Sequence, residues 1–283
     1  MLQFIYVFNE EDILMYNIEN FELEIDTLHR KRIIRVYLPS DYSTSINKRY
    51  KVIYMHDGHN LFYKETSAFG GIWDIQSAMN KWESEGRDGI IVVGIDCNQN
   101  GGRFDEYSPW INENLTEMLP TRNISTAGGE GELYIDFIVK FLKPYIDKKY
   151  RTLPDRNNTF IAGSSMGAFI SLYAGYKYND VFSGIGAFST AAWFKKDSLI
   201  EFLKENFKEG TKVYLDIGTK ETSDDNNKDF NNIYLNDTKE IANLFLNLGQ
   251  DKKDLFLFID EGANHSEESW KRRFPMFLDY MFQ

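Results

Sequence analysis

One serine lies in a sequence context that would make it a nucleophile. Ser165 is the third residue of Gly163-Ser164-Ser165-Met166-Gly167, which follows a short apolar stretch and leads directly into a helical pattern. A strand, a sharp turn and a helix in this order form an elbow that lifts a serine hydroxyl above a sheet. The flanking glycines allow a close approach, and the N–H groups at the helix start suit an oxyanion. The pattern predicts nucleophilic catalysis; the alternative is a glycine-lined turn with a solvated serine.

A serine hydroxyl needs a base to take its proton, and the base needs a third group to orient it. With this elbow the expected order along the chain is nucleophile, acid, histidine. Of the four histidines only His265 follows Ser165, so His265 is the predicted base. The acid should follow the strand predicted at 212–217, where Glu221 is favoured by position and Asp224 is the second choice. For each carboxylate the alternative is a solvated position in a loop.

A developing oxyanion would need two N–H donors. In this arrangement one comes from the residue after the nucleophile, Met166, and the other from the loop that follows the third strand. That loop contains His56-Asp57-Gly58-His59, and Gly58 would let the backbone come close to a substrate oxygen. Imidazole and carboxylate groups also suit zinc or iron, but no matching cluster of ligands stands elsewhere in the sequence. We therefore predict Gly58 and Met166 as the oxyanion hole, with no metal and no cofactor.

The segments around these residues alternate between strand and helix. Stretches typical of strands occur at 20–26, 32–38, 50–55, 90–95, 159–162, 182–188, 212–217 and 255–259. The segments predicted as helices are 73–82, 132–146, 168–176, 197–207, 233–248 and 269–281. The alternation predicts an α/β fold with a mostly parallel, doubly wound sheet. The first two strands and a further run at 2–8 are predicted as an antiparallel edge, and residues 1–283 as a single domain.

Three connections are longer than the others, namely 96–131, 189–196 and 219–232. Each leaves the carboxyl end of a predicted strand, which is the side where open α/β sheets bind ligands. Long connections of this kind are often lids or binding loops, so 96–131 is predicted to be one. Cationic and aromatic side chains of the first two connections are the predicted substrate-binding residues: Arg103, Tyr107, Trp110 and Trp193.

The alternative for 96–131 is a structural loop with a small core of its own. In that case Arg103 would pair with Asp105 or Glu106, and Trp110 would fill the core. Cys97, at the start of the same connection, is more simply explained as a small buried residue than as a nucleophile.

Charge and composition exclude several classes of partner. The formal net charge is −11 over 283 residues, which argues against nucleic acid or an anionic membrane surface as the main partner. The single cysteine rules out an intrachain disulfide and gives no sign of an oxidising compartment. No apolar run approaches the ~18 residues that span a bilayer, and the first residues lack the basic start of a signal peptide. We expect a cytoplasmic protein that acts on a small molecule, and the sequence leaves its oligomeric state open.

Five motifs stand in order along residues 20–283. They are Tyr54-Met55-His56-Asp57-Gly58-His59-Asn60-Leu61-Phe62, Glu106-Tyr107-Ser108-Pro109-Trp110, Gly163-Ser164-Ser165-Met166-Gly167, Asp216-Ile217-Gly218-Thr219-Lys220-Glu221 and His265-Ser266-Glu267-Glu268-Ser269-Trp270. Together they resemble the putative-esterase family, which groups esterase D, the enterochelin and bacillibactin trilactone esterases, and the feruloyl and acetyl-xylan esterase domains.

The resemblance implies an α/β-hydrolase fold with Ser165 as nucleophile, His265 as base and an acid at Glu221, and an oxyanion hole at Gly58 and Met166. Several members have Asp where this chain has Glu, and some manage with a Ser–His pair. The implied activity is that of a serine carboxylesterase, which hydrolyses small acyl, aryl or carbohydrate-linked esters through an acyl-enzyme. The first alternative is a siderophore trilactone hydrolase. The alternative of another class is a ligand-binding protein on an inactive hydrolase scaffold.

Overall fold

A single sheet organises the described part of the chain. The computed structural model describes residues 17–68, 70–98 and 101–282, so the strand predicted at 2–8 lies outside it. The strands are β1 (Ile18–Ile25), β2 (Arg30–Tyr37), β3 (Lys51–His56), β4 (Ile90–Ile95), β5 (Thr159–Ser164), β6 (Gly184–Phe188), β7 (Lys212–Lys220) and β8 (Leu255–Asn264). Their order in the sheet is β1-β2-β4-β3-β5-β6-β7-β8.

The strand directions confirm the predicted fold class. β2 is antiparallel to both β1 and β4, and each of the other neighbouring pairs is parallel. The helices are α1 (Ile75–Ser84), α2 (Arg103–Glu106), α3 (Leu115–Met118), α4 (Gly131–Phe137), α5 (Lys143–Lys149), α6 (Met166–Lys177), α7 (Lys196–Asn206), α8 (Phe230–Asn247) and α9 (Glu267–Phe282). None of these described helices is both long and apolar enough to cross a membrane. The result is the mostly parallel α/β-hydrolase sheet with an antiparallel N-terminal edge.

Hydrophobic clusters cover both faces of the sheet. Val52 and Tyr54 of β3 belong to the cluster that includes α6 and α8. Ile53 and Met55 of the same strand belong to the cluster that includes α1 and α9. This division follows from the two-residue period of a strand, which points successive side chains to opposite faces. Because both faces are buried, the central strands are continuous apolar runs in the sequence.

β7 and β8 are longer than predicted. The predicted strands end at 217 and 259, whereas β7 continues to Lys220 and β8 continues to Asn264. The two strands are parallel neighbours, and after a register shift Lys220 lies opposite Asn264. The residues that follow the two strands therefore leave the sheet side by side at its carboxyl edge.

The described part of the connection 96–131 has its own secondary structure and core. It contains α2, α3 and an antiparallel bridge between Asn112 and Ala127. The side chains of Phe104, Leu115 and Leu119 are buried. These features agree with the structural-loop alternative. A lid or binding role for this connection stays a prediction, as does the single domain over 1–283.

Candidate active site

Ser165 lies in the turn between β5 and α6, with φ 58° and ψ −120°. A residue with a side chain rarely adopts such a conformation, which persists only where surrounding contacts hold it. The Ser165 N–H donates to the carbonyl oxygen of Phe188 at 2.9 Å. The Ser165 carbonyl oxygen accepts from the N–H groups of Phe169 and Ala191, both at 3.1 Å. The predicted elbow is present, and β6, α6 and the loop after β6 fix its backbone.

Two glycines make the elbow compact. A Cβ added to Gly163 would lie 2.8 Å from the carbonyl carbon of Gly167, so a side chain there would push α6 away from β5. A Cβ added to Gly167 would lie 3.2 Å from Cβ of His56 and 3.3 Å from Oδ2 of Asp57. The start of α6 therefore packs against the loop after β3. The two segments predicted to form the oxyanion hole are thus neighbours.

Glu221 and His265 are the residues that directly follow β7 and β8. Because these strands end side by side, Nδ1 of His265 lies 2.5 Å from Oε2 of Glu221. The sequence placed Glu221 several residues beyond the end of its strand, and the longer β7 corrects this position. The other carboxylate oxygen, Oε1, accepts hydrogen bonds from Ser189 Oγ at 2.6 Å and from the Gly218 N–H at 2.7 Å. Both oxygens of this buried carboxylate are therefore engaged.

The surroundings of Glu221 favour its ionised form. Burial alone would raise the pKa of this carboxyl group, but the charge of His265 and the hydrogen bonds from His265 and Ser189 hold the pKa of Glu221 below its usual value. Arg273, which is also buried, adds a cation 3.9 Å from Oε1. An ionised carboxylate at Nδ1 can orient the imidazole ring and stabilise an imidazolium.

Ser189, the residue after β6, ties this pair to the rest of the fold. Its Oγ donates to Glu221 and accepts from Trp270 Nε1 at 3.0 Å and from the Arg273 guanidinium at 2.9 Å. Its N–H donates to the Asp216 carbonyl oxygen at 3.0 Å, and its φ of 46° is left-handed. Ser189 is not among the residues predicted from the sequence. Its place at the carboxyl end of the strand next to the elbow strand is the signal that could have found it.

The second candidate acid, Asp224, is engaged elsewhere. Its carboxylate accepts hydrogen bonds from the N–H of Thr121 at 2.9 Å and from the Thr121 hydroxyl. It also accepts from the Asn226 N–H at 2.9 Å. These bonds hold the connection 219–232 against the connection 96–131. Of the two carboxylates, Glu221 is the one that contacts the imidazole.

Tyr234 of α8 is a neighbour of both the serine and the histidine. Its ring centroid lies 5.0 Å from that of His265, and its hydroxyl also interacts with the Ser165 side chain. Trp270 packs edge-on against the imidazole, again with 5.0 Å between ring centroids. Two aromatic rings therefore support the imidazole. The sequence offers no pattern that distinguishes Tyr234 from the other buried positions of its helix.

The predicted oxyanion-hole residues lie at the start of a short 3₁₀ turn and at the start of helix α6. Gly58 begins the 3₁₀ turn Gly58–Asn60. A Cβ on Gly58 would lie 2.7 Å from the carbonyl carbon of Gly94, so contact with β4 also requires a glycine at this position. Met166 is the first residue of α6, where N–H groups have no partner within the helix. Their roles in binding an oxyanion stay predictions.

Arg103 pairs with Asp57, so the predicted alternative of a pair with Asp105 or Glu106 is wrong. Nε of Arg103 lies 2.8 Å from Oδ1 of Asp57, and a second guanidinium nitrogen lies 2.7 Å from Oδ2. The guanidinium stands over the ring of Tyr107, 4.9 Å from its centroid. The Tyr107 hydroxyl oxygen in turn accepts the N–H of Asp57 at 3.0 Å. The arginine thus supports the loop after β3.

The three predicted aromatic contacts differ in their surroundings. Tyr107 has no exposed surface to offer a substrate, which contradicts its predicted role. Trp110 is half-buried and stands edge-on to three rings of α6 and α7: Phe169, Tyr173 and Phe202. Trp193 is buried, packs edge-on against Phe230 and faces Tyr234. Substrate contact by either tryptophan stays a prediction.

Three potential metal ligands from the loops after β3 and β4 lie close together. Donor atoms of Asp57, His59 and Cys97 lie within 4.8 Å of one another, and all three residues are buried; we call them the buried ligand cluster. His56, which the sequence grouped with them, instead has its Nδ1 2.8 Å from the hydroxyl of Tyr134. The cluster fits a cation poorly, because a guanidinium already binds both carboxylate oxygens and burial raises the pKa of the Cys97 thiol above its usual value.

The sequence matches one protein family over nearly its whole length. The family model described as "Putative esterase" matches residues 25–280. The chain belongs to the putative esterase family. It is also 24% identical over 252 residues to the uncharacterized protein YbbA of Bacillus subtilis (strain 168), a match that covers 89% of this chain and 92% of YbbA.

Solved structures with the same fold include proteins that are named as hydrolases. The siderophore hydrolase EstA from Aspergillus nidulans superimposes with a TM-score of 0.73 at 17% identity, covering 95% of this chain and 96% of EstA. A ferulic acid esterase superimposes with a TM-score of 0.70 at 19% identity, covering 94% of this chain and 97% of that one. At these identities the likeness concerns the fold, and it confirms the α/β-hydrolase architecture.

Proposed function

We propose that this protein is a serine carboxylesterase that needs no metal or other cofactor. The observation that carries the proposal is the contact between Glu221 and His265 at the carboxyl edge of the sheet, where the elbow presents Ser165. An acid that orients an imidazole beside an elbow serine is the arrangement that makes a serine hydroxyl nucleophilic. Membership of an esterase family supports an ester as the substrate.

The first half-reaction transfers the acyl group to the enzyme. Ser165 Oγ attacks the carbonyl carbon of the ester while His265 takes the hydroxyl proton. The carbonyl oxygen becomes an oxyanion, for which the N–H groups of Gly58 and Met166 are the proposed donors. When the intermediate collapses, the bond to the alcohol oxygen breaks and His265 returns the proton to the alcohol. Glu221 keeps the imidazole in the required tautomer and stabilises the imidazolium.

The second half-reaction uses water in place of the alcohol. His265 takes a proton from water, and the water oxygen attacks the acyl carbon on Ser165. Collapse of this second intermediate breaks the acyl bond to Oγ, which takes the proton back from the imidazolium. A carboxylic acid leaves, so water has been added across one ester bond and no other reactant is needed.

The proposed substrates are small acyl, aryl or carbohydrate-linked esters. Two similar structures are named a ferulic acid esterase and a siderophore hydrolase. A substrate panel should therefore contain feruloyl esters and catecholate lactones beside acetyl and butyryl esters. Preference for the lactone over the other three would favour the alternative of a siderophore trilactone hydrolase.

The proposal is tested by Ser165→Ala. On p-nitrophenyl acetate the variant should lose about 10⁴–10⁶-fold in kcat, while its circular dichroism spectrum stays that of the wild type. A fluorophosphonate should add to Ser165 of the wild type, as located by mass spectrometry, and should not add to the variant. Ser183→Ala, which alters a serine at the amino end of β6, should keep turnover and labelling.

Two outcomes would contradict this proposal. Turnover that survives Ser165→Ala would mean that another residue is the nucleophile. A wild-type protein that neither turns over any ester of the panel nor reacts with the fluorophosphonate would be a binding protein on an inactive hydrolase scaffold.

A further inference from the structure

We infer that Arg103 and Asp57 form a positioning pair, which holds the loop after β3 in the conformation that the proposed oxyanion hole requires. The inference rests on the proposed esterase function. Through Arg103, the connection 96–131 would then support catalysis equally for every ester. The sequence had instead predicted Arg103 as a substrate-binding residue.

The backbone of Asp57 needs support. Its φ of 55° and ψ of 46° are left-handed, a conformation that a residue with a side chain adopts at a cost. The Asp57 N–H donates to the Tyr107 hydroxyl oxygen at 3.0 Å, and the Asp57 carbonyl oxygen accepts from the Asn60 N–H at 2.9 Å. The peptide group that follows Asp57 carries the Gly58 N–H. The backbone angles of Asp57 therefore set the direction of that proposed oxyanion donor.

The side chain of Asp57 is held by charge-assisted hydrogen bonds. Arg103 binds both carboxylate oxygens, at 2.8 and 2.7 Å, and such bidentate pairs are strong and directional. The side chain of Asp57 is 7% exposed and that of Arg103 is 29% exposed. The buried carboxylate is therefore paired through both of its oxygens with one guanidinium.

Asp57 contacts both halves of the proposed oxyanion hole. Along the chain it directly precedes Gly58. In space its Oδ2 lies 3.3 Å from the position of a Cβ added to Gly167, so it packs against the first turn of α6, which begins at Met166. A shift of this one carboxylate would disturb the N–H donors on both sides.

Arg103 also neutralises a charge that would oppose the reaction. A buried carboxylate beside the oxyanion hole would repel the oxyanion that develops there, because Coulomb interactions are strong where water is excluded. The guanidinium is always protonated and cancels this charge. Removal of Arg103 alone would leave the carboxylate of Asp57 unpaired, whereas removal of both charges would not. The two residues should therefore be strongly coupled in catalysis.

The test compares Arg103→Ala, Asp57→Asn and the double variant on p-nitrophenyl acetate and p-nitrophenyl butyrate. Arg103→Ala should lower kcat by about 10²-fold, as for the loss of one oxyanion donor, with little change in KM and an equal effect on both esters. The double variant should be about tenfold more active than Arg103→Ala, because it has no unpaired carboxylate. Millimolar guanidinium chloride should restore part of the kcat of Arg103→Ala.

Arg87 offers a matched control for the loss of a paired arginine. Its side chain is 32% exposed, pairs with Asp279, and stands over the ring of Trp82 at 4.2 Å from the centroid. It precedes the amino end of β4, at the opposite edge of the sheet from the elbow. Arg87→Ala should keep the kcat and KM of the wild type on both esters.

Three results would overturn the inference. If Arg103→Ala lowered kcat for the butyrate ester alone, Arg103 would be a residue that contacts the acyl group. If the fold-loss of kcat in the double variant equalled the product of the fold-losses in the two single variants, Arg103 and Asp57 would not be coupled. An Arg103→Ala enzyme with wild-type kcat would show no positioning role. If Ser165→Ala abolishes turnover while these results appear, the esterase proposal stands and this inference alone fails.

A second variant covers the case in which Arg103→Ala does not fold, as judged by near-ultraviolet circular dichroism. Arg103→Lys keeps the charge and loses the bidentate geometry, so its kcat should fall by about tenfold with an unchanged Tm. An Arg103→Lys enzyme with wild-type kcat, or one whose kcat falls only together with its Tm, would refute a positioning role.

Discussion

The role of Glu221 can be tested by the isosteric change Glu221→Gln. Oε1 accepts hydrogen bonds from Ser189 Oγ and the Gly218 N–H, so the amide oxygen of a glutamine should take that position. The opposite orientation would place an NH₂ group against two donors. The NH₂ group would therefore face Nδ1 of His265. Because NH₂ donates, Nδ1 would have to accept, and the imidazole proton would move to Nε2.

An imidazole with its proton on Nε2 cannot take the proton of Ser165. Loss of the orienting acid from a catalytic triad costs about 10⁴-fold in kcat, which is about 5.5 kcal/mol of transition-state stabilisation. We expect that loss for Glu221→Gln. His265→Ala should lose about 10⁶-fold, because the base itself is removed. Asp224→Asn should stay near the wild type, since that carboxylate binds Thr121.

The assay is the kcat for p-nitrophenyl acetate, with circular dichroism and Tm as checks of the fold. A Glu221→Gln enzyme with nearly wild-type kcat would show that a Ser–His pair suffices and would refute the tautomer argument. A severe loss in Asp224→Asn, with little loss in Glu221→Gln, would show that Asp224 is the acid.

Three further outcomes concern stability and metal dependence. The pKa of Glu221 is lower in the folded protein than its ordinary value of 4.5, so its ionised form stabilises the fold at pH values above 4.5, and this stabilisation is lost as the pH falls through the lowered pKa. The urea midpoints of the wild type and Glu221→Gln should therefore converge in acid. A difference between the two midpoints that does not depend on pH would contradict this prediction. Ser189→Ala leaves buried donors of Trp270 and Arg273 without their acceptor. Urea denaturation should therefore show that the free energy of unfolding falls by about 1–3 kcal/mol for each donor. An unchanged free energy of unfolding would refute the role of Ser189 in supporting the site. EDTA should leave kcat unchanged, and inhibition that zinc reverses would mean that the buried ligand cluster binds a functional metal.

Local patterns in the sequence were sufficient for the elbow and for most of the sheet. Gly163, Ser165 and Gly167 are close together in the chain, and the strand before them and the helix after them have distinct periodicities. His265 was identified because it alone of the histidines follows the serine. Each of these inferences depends on neighbours in the chain or on chain order, which the sequence displays directly.

Contacts between distant segments could not be predicted in this way. Arg103 and Asp57 are 46 residues apart, whereas the expected partners Asp105 and Glu106 are close in the chain. In the structure Glu106 pairs with Arg32 of β2 at 2.6 Å. The choice among these carboxylates depends on how α2 packs against the sheet, and no local pattern records that packing.

The position of the acid also depends both on a local sequence pattern and on pairing between distant segments. The apolar run of β8 ends at Ile259, and in this edge strand the next residues include the exposed Glu261 and Asn264, so the predicted strand stops at 259. Backbone hydrogen bonds do not depend on the side chain, so β7 and β8 stay paired as far as Lys220 and Asn264. The sequence by itself determined where these strands lie. Backbone pairing in the tertiary structure decided where they end, and hence that Glu221 reaches the imidazole.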